Sequence, residues 1–216
     1  MSDATISSPR SAGFLRARLG SLLSFAPLGV WTFVHLWNNL AAFQGEGAWE
    51  QAVTTYPHPI AQLVTSVVVL LPLVLHTIWG VSRLLTARPN NVRYGYFANI
   101  KFALQRLSAI GVMLFLGAHI WLALLHPRLV EGHAEAFSDI SHEMRTHMPT
   151  LVVYLLGTLG VSYHLANGIS TFAMGWGIVA SRRALAKLNV VSIAALVVLL
   201  GMSWSVIYAL YRSGAP

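Results

Sequence analysis

Four histidines, His35, His76, His119 and His164, stand inside long apolar stretches of this 216-residue chain, one to a stretch. An imidazole in such surroundings is costly unless it is hydrogen-bonded or bound to a metal. One such histidine more often satisfies a hydrogen bond than holds a ligand. Four of them, one on each of four segments, ask for a common ligand, and neutral imidazole is a frequent metal donor.

Depth sorts the four into pairs. At 1.5 Å of rise per helical residue, with successive segments running in opposite directions, His35 and His119 fall at an outer level and His76 and His164 at an inner level. Two donors per level are too few for zinc, which takes three or four. Two trans imidazoles do match the axial positions of a haem iron whose porphyrin supplies the other four nitrogens. The expectation is two b-type haems, with His35, His76, His119 and His164 as axial ligands to haem iron. The chain has no cysteine, so it offers no C-x-x-C-H for covalent haem attachment, no disulfide and no ligands for an iron–sulfur cluster of its own.

The segments that must position these groups follow from composition. Hydrophobic residues make up 56% of the chain and charged ones 10%, against roughly 25% charged in a soluble domain. Five apolar runs, about 21–43, 60–86, 102–126, 149–180 and 188–211, are each long enough for a bilayer core of about 30 Å. The expected fold is an all-α membrane protein with five transmembrane helices, the first four forming the haem-binding bundle. Residues 1–20 form a polar, basic N-terminal segment, 21–211 a single transmembrane domain and 212–216 a tail. Asn90 and Asn91 read as a turn, Pro127 as the end of the third run, and Pro149 as the first turn of the fourth. The first run lacks a small-residue cleavage pattern and reads as an uncleaved anchor.

Charge sets the orientation. Arg10, Arg16, Arg18, Arg83, Arg88, Arg93, Lys101, Arg106, Arg182, Arg183 and Lys187 fall on one side of the bundle, and Arg128, Arg145 and Arg212 on the other. This bias makes the first side, with the N-terminus, cytoplasmic and the C-terminus external. The basic residues cluster between apolar runs as topology determinants, so the net charge of +7 is not read as a nucleic-acid surface. Asp3, Glu46, Glu50, Glu131, Glu135, Asp139 and Glu143 all lie in the N-terminal tail or the external connections. A carboxylate relay through the bundle is therefore unsupported. His58, His126, His133, His142 and His147 lie in or beside the external loops and read as solvated.

Several residues have two readings. Gly157, Gly160 and Gly168 share a face with His164 and offer either a flat bed for a macrocycle or close helix–helix packing. Pro72, four residues before His76, can loosen its helix or be one of the prolines membrane helices tolerate. Arg18, Arg83 and Arg106 can reach the propionates of the inner haem, or serve only as orientation signals.

The stretches "FLRARLGSLLSFAPLGVWTFVHLWNN", "LVLHTIWGV", "FALQRLSAIGVMLFLGAHIW" and "SYHLANGISTFAMGWGI" resemble the five-helix, single-polypeptide dihaem cytochrome b subunit of bacterial succinate dehydrogenases and fumarate reductases. That resemblance implies a membrane anchor for a flavoprotein subunit and an iron–sulfur subunit on the cytoplasmic face, in a complex that can oligomerise further. It implies electron transfer between these subunits and a membrane quinone, menaquinone rather than ubiquinone, through two haem b groups. It pairs His35 with His119 and His76 with His164, and places the quinone near the outer haem. Glu46 and Glu50, after the first helix, then become candidates for handling quinone protons, or else are plain loop acids. Ser162 and Tyr163 stand before His164 where some fumarate-reducing relatives carry an acid. Two other readings remain: a haem b subunit of a membrane hydrogenase or formate dehydrogenase, and a transporter with a histidine relay, which lacks the acidic companions it needs. No flavin fingerprint is present, so catalysis would belong to a complex.

Overall fold

The computed structural model describes residues 18–55, 59–86 and 95–214. Arg10, Arg16, His58, Arg88, Pro89, Asn90, Asn91, Arg93 and Asp3, used above for orientation and turns, lie outside the described residues. Within them the chain is helical: α1 (Arg18–Gln44), α2 (Glu46–Val53), α3 (Pro59–Thr86), α4 (Phe97–Glu131), α5 (Phe137–Thr146), α6 (Met148–Gly175) and α7 (Arg182–Ser213). Five of these, α1, α3, α4, α6 and α7, are long and apolar enough to cross a membrane. The short α2 and α5 cap one end of the bundle, opposite the end that carries Arg18, Arg83 and Arg106.

Local sequence explains the breaks. Gly45 takes φ 96° and Gly132 φ 82°, where a side chain would be strained, and these two turns end α1 and α4. Pro149 sits in the first turn of α6, where its missing N–H costs nothing. The Ser181 hydroxyl accepts from Ala184 N at 3.2 Å and starts α7. Four expected boundaries differ: α4 starts at Phe97 and α7 at Arg182, five and six residues early, and two helix ends move as well. Pro127 does not end the third span: the chain passes through it in two widened turns, Trp121–Leu125 and Pro127–Glu131. Longer-range hydrogen bonding of that kind dispenses with the proline's absent N–H. Pro27 is taken up the same way within Ser24–Gly29 of α1. The fourth span ends at Gly175 rather than near residue 180, because a turn through Gly177, φ 71°, breaks it.

Packing is uneven. Helix α6 lies along α4 on one side and α7 on the other, α5 rests on α7, and α1 touches α3 and α7. Among the described residues, α1 against α4 and α3 against α6 make at most sparse backbone contact. The buried core gathers at the end capped by α2 and α5, where Ala42, Trp49, Phe137, Ile140 and Met144 meet Tyr154, Phe115 and the 206–210 stretch of α7. Elsewhere the helices turn apolar side chains outward, Leu63, Val67, Leu71, Val74 and Ile78 along α3 among them. Such a stripe is an interior turned toward hydrocarbon.

Candidate functional site

Each of the two loosely packed helix pairs is bridged by imidazoles. The rings of His35 on α1 and His119 on α4 face each other with centroids 5.9 Å apart and planes at 68°. Those of His76 on α3 and His164 on α6 are 6.3 Å apart at 70°. Two imidazoles bound to opposite sides of one metal ion have centres about 6 to 6.5 Å apart, given metal–nitrogen bonds of ~2.0 Å. Both separations therefore suit an iron between the rings. The levels agree too, since His76 lies ten residues before Thr86 and His164 eleven before Gly175, about 15 Å of helical rise each.

The pattern i, i+4 holds most of these rings in place. Trp31 stacks on His35 (4.5 Å, 13°) and Phe115 on His119 (5.5 Å, 18°). Trp79, one turn after His76, tilts against it at 5.8 Å. These aromatic neighbours are readable in the sequence as W-x-x-x-H, F-x-x-x-H and H-x-x-W, a signal that histidine positions alone do not use.

Partners from other helices complete the positioning. The Tyr154 hydroxyl on α6 lies 3.1 Å from His119 Nδ1. Asn39 donates to His35 O at 2.9 Å, lies 3.4 Å from His35 Nε2, and accepts from the buried Trp49 indole at 3.1 Å. Thus α2 helps to hold the outer pair. At the inner level Gln105 and Ser108 of α4 reach His164, with Asn167 behind them. His76 Nδ1 is buried without a hydrogen-bond partner among the described residues, as are Ser162 Oγ and Tyr163 OH. Buried polar atoms left open in this way mark a site that accommodates a further group. Paired imidazoles across gaps between helices, with His76 Nδ1 left open, fit haem.

The other expected residues distribute as follows. Gly157 faces the Phe115 ring so closely that a Cβ there would overlap it, and Gly160 meets Val112 and Ser108 of α4. Both therefore serve the α4–α6 contact. Gly168 has open space where a Cβ would stand. The Arg18 guanidinium stands 5.3 Å from the Trp176 ring, and that of Arg106 3.3 Å from the Phe102 ring. Arg83 is exposed and near enough to Arg106 for their charges to repel, and Arg106 Nε is buried without an acceptor.

The acids around α2 and α5 separate. Glu46 is exposed in the first turn of α2. Glu50 accepts from Phe137 N at 3.2 Å and so caps α5. Both Glu50 and Glu135 line an open cleft of about 500 Å³ with Thr54, His133 and Asp139. Glu135 is half-buried, and its carboxyl is pushed up to about 8 by burial, with Asp139 and Glu131 adding to the rise and Arg128 opposing it. Sequence reading had placed this residue among the loop acids, because nothing in its neighbours foretells burial. His126 and His133 lie 3.3 and 3.7 Å from Glu131, and His147 3.3 Å from Glu143, all on the surface.

No family model matches the chain. It is 30% identical over 171 residues, 79% of its length and 83% of the relative's, to the succinate dehydrogenase cytochrome b558 subunit of Bacillus subtilis (strain 168). An identity of that extent, on a bundle of five membrane-spanning helices, settles kinship: the chain belongs to the succinate dehydrogenase cytochrome b subunit family, as a multi-pass anchor in the bacterial cytoplasmic (inner) membrane.

Proposed function

We propose that this chain holds two haem b groups, His35 with His119 at the outer level and His76 with His164 at the inner. Through them it joins a flavoprotein and an iron–sulfur subunit on the cytoplasmic face to a membrane quinone, menaquinone rather than ubiquinone. The observation that carries the reading is the double pairing, with ring centres 5.9 and 6.3 Å apart across two loosely packed helix pairs. Haem, when bound, supplies a one-electron carrier at each level.

The protein's own groups do the rest. Trp31, Phe115 and Trp79 keep the rings from rotating, and the Tyr154 hydroxyl accepts the His119 Nδ1 proton, which leaves Nε2 for the metal. Arg18, Arg83 and Arg106 offer charge-assisted hydrogen bonds to the inner propionates. Apolar side chains between the levels exclude water, which keeps the site dry and the imidazoles neutral. The orientation with a cytoplasmic N-terminus rests on the basic residues gathered at one end of the bundle. Glu46 and Glu50 remain the first-helix candidates for quinone protons, Glu50 lining the external cleft.

The decisive measurement is haem quantification with a reduced-minus-oxidised spectrum on the purified chain. Two haems per polypeptide are expected; one or none would overturn the assignment. The change His164→Ala should remove the inner haem and His35→Ala the outer, each leaving the other in place. Without the partner subunits, succinate-linked reduction should vanish while the haem spectrum persists.

A further inference from the structure

The inner histidine His164 is held by a side-chain amide from another helix, as His35 is held by the Asn39 amide of its own. Gln105, on α4, places its side-chain nitrogen 3.1 Å from the carbonyl oxygen of His164 and 3.2 Å from its Nδ1. A carbonyl only accepts, so the end of the amide facing His164 is the NH2 group. Buried Asn167, one turn further along α6, donates to the other end, Gln105 Oε1, at 2.8 Å. The amide is thereby locked. Ser108 Oγ donates to Gln105 O at 3.0 Å and stands 3.4 Å from His164 Nδ1 with a lone pair to spare.

Chemistry then assigns the protons. An imidazole that gives Nε2 to a metal keeps its proton on Nδ1, and the basicity of the ring follows from what accepts that proton. Here the acceptor is a neutral hydroxyl at long range. Beside it, the positive end of an amide dipole points at the same nitrogen. Both oppose negative charge on the ring, and a ring poorer in electrons stabilises the reduced metal. We infer that Gln105 is a positioning residue that holds His164 through its carbonyl and, by turning a donor toward Nδ1, raises the reduction potential of the inner haem. This rests on the two-haem reading. At the outer level the Asn39 amide turns the same end toward His35 Nε2 at 3.4 Å and a tyrosine hydroxyl faces His119 Nδ1 at 3.1 Å, so changes at Gln105 read out at the inner centre.

The test is a potentiometric titration of the purified full chain carrying its haems, following the spectrum of each. Gln105→Leu removes the dipole and should move the inner midpoint to a more negative potential. Gln105→Glu adds a carboxylate facing Nδ1 and should move it further the same way. Ser108→Ala deprives Nδ1–H of its acceptor and should move it in the positive direction. The outer midpoint should stay put in all three. Unshifted inner potentials in variants that keep both haems would overturn the role of Gln105. Should both Gln105 variants shed the inner haem, Ser108→Ala decides: an unshifted potential there sinks the proposal. A wild-type chain with fewer than two haems would instead sink the reading beneath it, a distinguishable result.

Discussion

Adding one methyl group at Gly157 tests the geometry of the outer site more sharply than removing a ligand. In an exposed helix interior, glycine to alanine stabilises by about 1 kcal/mol. Here a Cβ would overlap the Phe115 ring. That ring is buried, stacks on His119 and meets Tyr154 edge-on at 5.5 Å. Phe115 must therefore swing, or α4 and α6 must part, and either move disturbs His119. Overpacking of this kind costs about 1–3 kcal/mol, and loss of the Tyr154–His119 hydrogen bond about 1 kcal/mol more. A total of roughly 2–4 kcal/mol, expressed at the outer site, weakens haem binding there by roughly 30- to 700-fold, at 1.4 kcal/mol per tenfold. The assay is haem-to-protein ratio and haem titration of Gly157→Ala, beside Gly201→Ala, whose Cβ meets nothing within 4 Å. The outer haem should be depleted and the inner retained in the first, and both kept in the second. A Gly157→Ala chain with two haems at wild-type affinity would refute the argument, because the α4–α6 contact would then have slack that the structure denies it.

The carboxyl of Glu135 titrates at about 8 in the fold, against 4.5 when unperturbed. Between those values the folded chain holds a proton that the unfolded chain has released, so stability falls as pH rises from 4.5 to 8. Glu135→Gln cannot ionise; its unfolding midpoint should gain on the wild type across that window, and parallel pH profiles by circular dichroism would contradict the burial. Glu50→Ala deletes the acceptor for Phe137 N at the start of α5 and should cost about 1 kcal/mol. Glu46→Ala, on an exposed residue, should leave the unfolding midpoint unmoved, and equal losses in the two variants would argue against the cap. Gly168→Leu fills open space on the His164 face; if a macrocycle lies there, the inner haem is displaced, whereas full retention assigns that face to lipid or protein.

The sequence by itself determined the spans, because they rest on short-range rules. Helical periodicity and the length of apolar runs are properties of consecutive residues, and a histidine's depth follows from counting along its own helix. His35, His76, His119 and His164 were therefore legible as two facing couples before any coordinates. Pro127 was misread as a stop because a proline's effect depends on whether the neighbouring turns can widen, and here they do. Tertiary structure alone decided what surrounds the imidazoles. Gln105 and Ser108 are some 60 residues from His164 in the chain, yet meet it across the α4–α6 contact. The same contact reassigns Gly157 to Phe115. Folding of the segments around α2 and α5 likewise separated Glu135, half-buried, from Glu46, exposed. Composition cannot make that distinction, since desolvation depends on which other segments close over a side chain.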